Sequence, residues 1–237
     1  MRHPKGVKRP VNRLLALLSS RDYAALHPHL ERLPLDYKQS LYSADKRLDF
    51  VYFIETGVGS LVNTMVNGEA TEVGTIGNEG IVGLPLLLGC DQAPTAVYVQ
   101  VAGVAMRMEA SLFKRALAQS PTMQVVMLGY VHALFNQVAQ SAACSRFHLL
   151  EQRCCRWLLM TRDRMASDNF LLTQEFLAMM LGVQRPGVSI AAGGLRRAGL
   201  ITYKRGNVAI LDGVGLEKRS CECYDVSKRE FNCFLDA

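Results

Sequence analysis

Residues 173–211 constrain the chain more than any other stretch, because four local signals occur there in an order that few folds accept. Thr173 offers a hydroxyl to cap a helix, and Leu177 and Leu181 follow at helical spacing with the small Ala178 between them. Gly182 stands where a left-handed turn is wanted. A second helix opens near Arg185 with Pro186 in its first turn, where a missing N–H costs little, and Val188 and Ala191 continue its inward face. Two β-prone runs, around Ile201 and around Val208, flank Lys204, Arg205, Gly206 and Asn207 and predict a hairpin with a basic tip. Helix, turn, helix and basic hairpin predict a winged helix-turn-helix, a module whose second helix enters the major groove of DNA.

Side-chain roles follow from exposure. Gln184, Arg185, Gly187 and Ser189 open the second helix and are expected to face the groove, with Arg185 suited to bidentate contact with a guanine edge. Thr173, Gln174 and Gln184 are placed to meet phosphates, as are Lys204 and Arg205 at the hairpin tip. Charge agrees with a polyanionic partner. The net charge is +6, and residues 146–212 hold ten Lys/Arg against five acids; residues 1–13 add five basic residues and no acid.

Upstream, residues 12–33 read as short helices broken by Pro28 and Pro34. Residues 50–55, 59–65, 72–76 and 96–101 are β-branched or aromatic runs of strand length, separated by turn signals at Thr56-Gly57, Asn67-Gly68 and Gly77-Asn78. Short strands at this spacing predict an antiparallel barrel or jelly roll. From Ser120-Pro121 onward the chain reads as one long helix. Its stripe Met123, Met127, Tyr130, Leu134, Gln137, Ser141 and Cys144 is expected to form a seam between two chains. The fold class is therefore α+β. Residues 12–119 are expected to form the barrel, 120–146 a dimerisation helix, 147–215 the DNA-binding module and 216–237 a cysteine-containing appendage.

This order of elements resembles the CRP/FNR family of bacterial regulators, over roughly residues 12–215 and most specifically in 172–211. The resemblance implies a homodimer that binds double-stranded DNA at a palindromic site, with RNA polymerase as a further partner. In family members that bind cyclic nucleotides, a Gly-Glu pair grips the ribose and an Arg-Ser or Arg-Thr pair the cyclic phosphate. The corresponding residues here are Gly83-Leu84 and Pro94-Thr95. Leu84 replaces the acid and Pro94 the arginine, and a buried phosphate without its arginine loses a charge-assisted bidentate partner. A cavity at Gly83, Leu84, Pro94 and Thr95 is thus expected to take some other effector or none, and no cofactor is expected.

Seven cysteines at irregular spacing, without an export signal, predict reduced thiols in a cytoplasmic protein. No apolar run is long enough to cross a membrane. Cys221, Cys223 and Cys233 are candidates for a soft-metal or redox site. Three thiols fall short of zinc's usual four ligands, however, and the five histidines show no ligand spacing, so no metal site is expected. A metal- or redox-responsive regulator working through those cysteines is the alternative reading. Nothing supports an enzyme: there is no nucleophile–base pair and no phosphate-binding glycine loop.

Overall fold

The computed structural model describes residues 10–204 and 206–236. The basic residues 2, 5, 8 and 9, together with His3 and Arg205, lie outside them.

Two short helices, α1 (Arg13–Ala16) and α2 (Ser20–Leu26), and a 3-10 turn (His27–His29) precede the barrel. Its strands are β1 (Glu31–Leu35), β2 (Ser40–Tyr42), β3 (Phe50–Thr64), β4 (Ala70–Ile76), β5 (Ile81–Val82) and, after the short helix α3 (Leu84–Leu87), β6 (Thr95–Glu109). They form one antiparallel sheet ordered β1-β6-β3-β4, with β2 on β6 and β5 on β3. The pair β3–β6 runs from Phe50 opposite Glu109 to Asn63 opposite Thr95. Register shifts between Ile54 and Gly59 add twist and wrap this pair into a jelly roll.

Two expectations change here. Thr56-Gly57 is not a turn between strands but a bulge inside a continuous β3. Gly57 has φ +92°, and a side chain there would run into the Val101 carbonyl. Glycine takes up the extra residue without breaking the pairing. The segment read as ending in helix at Leu33 is the edge strand β1, where Pro34 is tolerated because one side of the strand needs no partner. The Asn67-Gly68 signal does mark the turn joining β3 to β4, with Gly68 at φ +84°.

Helix α4 (Ala110–Gln119) leads to α5 (Pro121–Phe147), capped by the Ser120 hydroxyl, which accepts from Met123 N. At 27 residues it spans about 40 Å. The stripe expected to join two chains instead faces inward. Met123, Met127, Tyr130, Leu134, Gln137 and Cys144 are each 0–1 % exposed, packed on the barrel loops and on the C-terminal helix described below. Tyr130 donates its hydroxyl to Ile81 O at 3.3 Å and lies against Gly80, where a side chain would strike the ring. A neighbouring stripe, Val125, Leu128 and Phe135, is the exposed apolar one.

The remainder is α6 (Leu150–Met165), β7 (Asn169–Leu171), α7 (Gln174–Leu181), α8 (Arg185–Arg197), β8 (Ile201–Lys204), β9 (Asn207–Ile210), α9 (Gly213–Arg219) and α10 (Cys223–Leu235). A small sheet ordered β7-β9-β8 closes the winged module. Residues 216–236 are a packed part of the fold. Helix α10 returns to α5 and α6, with Phe234 against Gly129, Asn136 donating to Glu230, and Tyr224 donating to Asp163 at 2.8 Å.

Barrel and winged module share a core. Val58, Val62 and Val101 of the barrel join Trp157, Phe176, Leu177, Leu181 and Val188 in one apolar cluster. Across it, Trp157 Nε1 donates to Glu72 Oε1 at 2.8 Å and Gln100 Nε2 donates to Thr161 Oγ1 at 3.1 Å. A buried ion pair ties three elements together. Arg164 of α6 donates through Nε to Glu79 at 2.8 Å, and through Nη2 to Gln137 of α5 at 2.9 Å. Glu79 follows the Gly77-Asn78 turn signal in a barrel turn and is the partner of this buried charge.

Candidate nucleic-acid interface

The winged module forms as its local signals demand. Thr173 caps α7, its hydroxyl accepting from Phe176 N at 3.1 Å. Gly182 adopts φ +61°, ψ 43° after α7, and a side chain there would meet the Thr71 hydroxyl of β4. The turn is therefore both left-handed and closely packed. Leu177, Leu181, Val188, Ala191 and Leu195 are buried, and their burial fixes which face of α8 points outward.

On that outward side Gln184, Arg185, Pro186, Ser189 and Ile190 are exposed, with Arg196 and Arg197 at the far end. The Ser189 hydroxyl donates to Gln174 Oε1 at 2.8 Å, which couples the start of α7 to the first turns of α8. Lys204 is exposed beside the wing turn at Gly206, whose φ is +82°. The structure thus gathers Thr173, Gln174, Gln184, Arg185, Ser189 and Lys204 around one surface.

Gly187 departs from expectation. It shares a helical sector with Ala191 and Gly194, which faces α6, and a side chain there would touch Leu150 at 3.0 Å. Its role is close helix packing. Ile190, not singled out from sequence, is 73 % exposed on the outward face. The signal was available, because Ile190 lies opposite the Val188, Ala191 and Leu195 stripe.

The sensor positions are more dispersed in character. Gly83 is the N-cap of α3 at φ +126° and abuts Val51. Leu84 is partly buried, Pro94 exposed, and the Thr95 hydroxyl lies 3.4 Å from that of Tyr42. Leu48, Val51, Phe53, Ile81, Leu86, Val97 and Val99 belong to the buried barrel core.

The cysteines fall into three groups. Cys90 and Cys233 are exposed. Cys154 and Cys155 are core residues of α6, and burial pushes the Cys155 thiol up to about 12. Cys144, Cys221 and Cys223 meet in a buried cluster, which His148 joins. Sequence reasoning grouped Cys233 with Cys221 and Cys223. The fold instead turns Cys233 to solvent and supplies Cys144 and His148 from the end of α5, far away in the chain.

Two family models match, in the order the architecture requires. The cyclic nucleotide-binding domain covers residues 34–120 and the Crp-like helix-turn-helix domain residues 152–219. Comparison of the sequence with curated proteins finds no match. Among solved structures, FixK2 from Bradyrhizobium japonicum superposes with a TM-score of 0.69 at 13% identity, over 81% of this chain and 98% of that one. A transcriptional regulator of the CRP family from Thermus thermophilus gives 0.66 at 21%, over 79% and 96%. The c-di-GMP responsive global regulator CLP of Xanthomonas campestris gives 0.66 at 13%, over 81% and 99%. A cyclic-nucleotide-binding-type barrel joined through a long helix to a winged helix-turn-helix defines a DNA-binding transcription regulator. The chain belongs to the CRP/FNR family. Among the described residues no helix is long and apolar enough to cross a membrane.

Proposed function

We propose that the protein is a cytoplasmic, homodimeric regulator that reads a palindromic DNA site through α8 and acts on RNA polymerase, with no enzymatic activity of its own. The observation that carries this reading is the surface formed by Arg185, Ser189 and Ile190 beside Lys204, on a module whose inward residues are all buried. Arg185 is assigned to a guanine edge and Ile190 to a thymine methyl. Thr173, Gln174, Gln184 and Lys204 are assigned to phosphates, as is Arg205. Two such modules related by a dyad present α8 to half-sites about one helical turn apart. The exposed stripe Val125, Leu128 and Phe135 on α5 is assigned to the dimer seam.

The barrel is read as a degenerate sensor that does not take cAMP. Leu84 and Pro94 supply neither the acid nor the cation that would hold its ribose and phosphate.

The test begins with selection of bound sites from random duplex DNA by the full chain. Arg185→Ala is expected to weaken the selected site by about 1–3 kcal/mol and to relax base preference at one position per half-site. Lys204→Ala is expected to weaken all sequences alike and flatten the salt dependence. Unchanged affinity and preference in Arg185→Ala would refute the assignment of α8. Calorimetric titration with cAMP is expected to give no binding heat, and saturable binding would overturn the reading of the barrel.

A further inference from the structure

Two residue pairs, separated by most of the winged module, converge where α5 ends. Cys144 lies in the last turn of α5 and His148 is its C-cap, one helical turn further on. Cys221 and Cys223 flank the start of α10. The four ligand atoms all lie within 4.8 Å of one another. Cys144 Sγ is 3.5 Å from Cys221 Sγ, and Cys223 Sγ is 3.5 Å from His148 Nδ1. In a tetrahedral zinc site with Zn–S bonds of about 2.3 Å, ligand atoms stand about 3.8 Å apart. The cluster already has that scale, and it leaves no room for the inorganic sulfides of a multi-iron centre.

The surroundings suit an ion as well. The three cysteines are 0–4 % exposed, so the site is closed, as structural zinc sites are. Glu222 takes the outer nitrogen of His148, with Nε2 to Oε2 at 3.1 Å, and leaves Nδ1 turned toward the sulfurs. A carboxylate behind a ligating histidine is the usual outer partner of a zinc site. Gln140 Nε2 donates to Cys223 Sγ at 3.0 Å, a hydrogen bond that a metal-bound sulfur can still accept. Three thiolates and one dication carry a net negative charge, and Arg153 and Arg156 both act electrostatically on Cys144.

We propose that Cys144, His148, Cys221 and Cys223 bind one Zn2+ in a closed, four-coordinate site that fastens α10 to the junction between α5 and α6. Each thiol releases its proton to water as its sulfur bonds the ion, and the neutral imidazole donates through Nδ1. The ligands straddle the two-residue break at His148 and Leu149, so the ion holds the link between the long helix and the winged module. This site does not depend on the DNA-binding reading, and either can fail without the other.

The test uses the full chain purified under reducing conditions without chelator. Elemental analysis is expected to give one zinc per chain, and a thiol reagent on the native protein to modify Cys90 and Cys233 rapidly while sparing Cys144, Cys221 and Cys223. Stripped chain titrated with Co2+ is expected to develop the intense visible bands of a tetrahedral thiolate site, saturating at one equivalent. Cys221→Ser with Cys223→Ser is expected to lose the zinc, His148→Cys to keep it, and Cys233→Ser to leave it unchanged. The wild-type zinc content decides the matter even if the double variant fails to fold. The proposal is overturned by absence of zinc with no tetrahedral Co2+ spectrum, by iron in its place, by a Cys144–Cys221 disulfide in the purified chain, or by zinc that survives the double substitution.

Discussion

Glu72 shows what a single residue can hide. Its carboxyl meets Trp157 Nε1 on one oxygen, and on the other the Ser60 hydroxyl, which also lies 2.8 Å from Gln100 Oε1. A hydroxyl has one proton to give. When Ser60 donates to Gln100, only a protonated Glu72 can complete the chain by donating to Ser60. Removal from water pushes the carboxyl up to about 7, against the hydrogen bonds from Ser60 and Trp157. The unfolded chain releases this proton near the ordinary value of 4.5, while the folded chain holds it to about 7. Stability therefore falls as pH rises through that window. Glu72→Gln, which cannot ionise, is expected to match the wild type below pH 4.5. Above pH 7 it is expected to be more stable by on the order of 1–2 kcal/mol, allowing for the partial exposure of the residue. Melting temperatures at both ends of the range check this, and a difference that does not change with pH would refute it. None of this was legible in the sequence, where Glu72 is one member of an alternating strand and Trp157 one member of a helical stripe. Gly182 is the opposite case. Its conformation follows from local chemistry alone, and the structure has it at φ +61° as the turn requires.

At the scale of elements, legibility tracked how local the determinants are. The winged module was readable almost residue by residue, because caps, turn glycine and hairpin are all set within a few positions. The long helix was readable as a helix but not as an interface. It carries two apolar stripes, and periodicity cannot say which one its own chain covers. The answer comes from the barrel, whose core takes in the Met127, Tyr130 and Leu134 face, while α10 covers the adjoining Gly129 and Asn136 side. The stripe left over predicts its own test. Phe135 is 67 % exposed, so Phe135→Glu is expected to leave the protomer folded. In a dimer it places two carboxylates across the seam. Sedimentation is expected to find monomers, with operator binding weakened about 10²-fold or more as the two half-sites lose their linkage. An unchanged dimer would put the seam elsewhere. The same logic explains the cysteine cluster. Cys221 and Cys223 advertise themselves by spacing, whereas Cys144 and His148 join them only through the return of α10.

The whole molecule is less divisible than its sequence suggests. Composition and texture mark a sensor and a DNA-binding module, yet Val58, Val62 and Val101 are shared with the core of the second, and Arg164 is neutralised by Glu79 in the first. Removing one partner of a buried ion pair in the intact fold costs about 3–5 kcal/mol, so the two halves are expected to unfold together. Scanning calorimetry of the full chain is expected to show one cooperative transition, with equal calorimetric and van't Hoff enthalpies. Two resolved transitions would show that the shared core contributes little.

The Arg164–Glu79 pair also bears on how the chain is made. A ribosome delivers Glu79 and Gln137 well before Arg164, and a carboxylate cannot enter an apolar interior alone. The loop that holds Glu79 is therefore expected to stay hydrated until α6 emerges, and the barrel to finish folding only then. Nascent chains stalled before residue 164 has left the exit tunnel are expected to be cut by protease in the 77–80 turn, and chains stalled after it to resist.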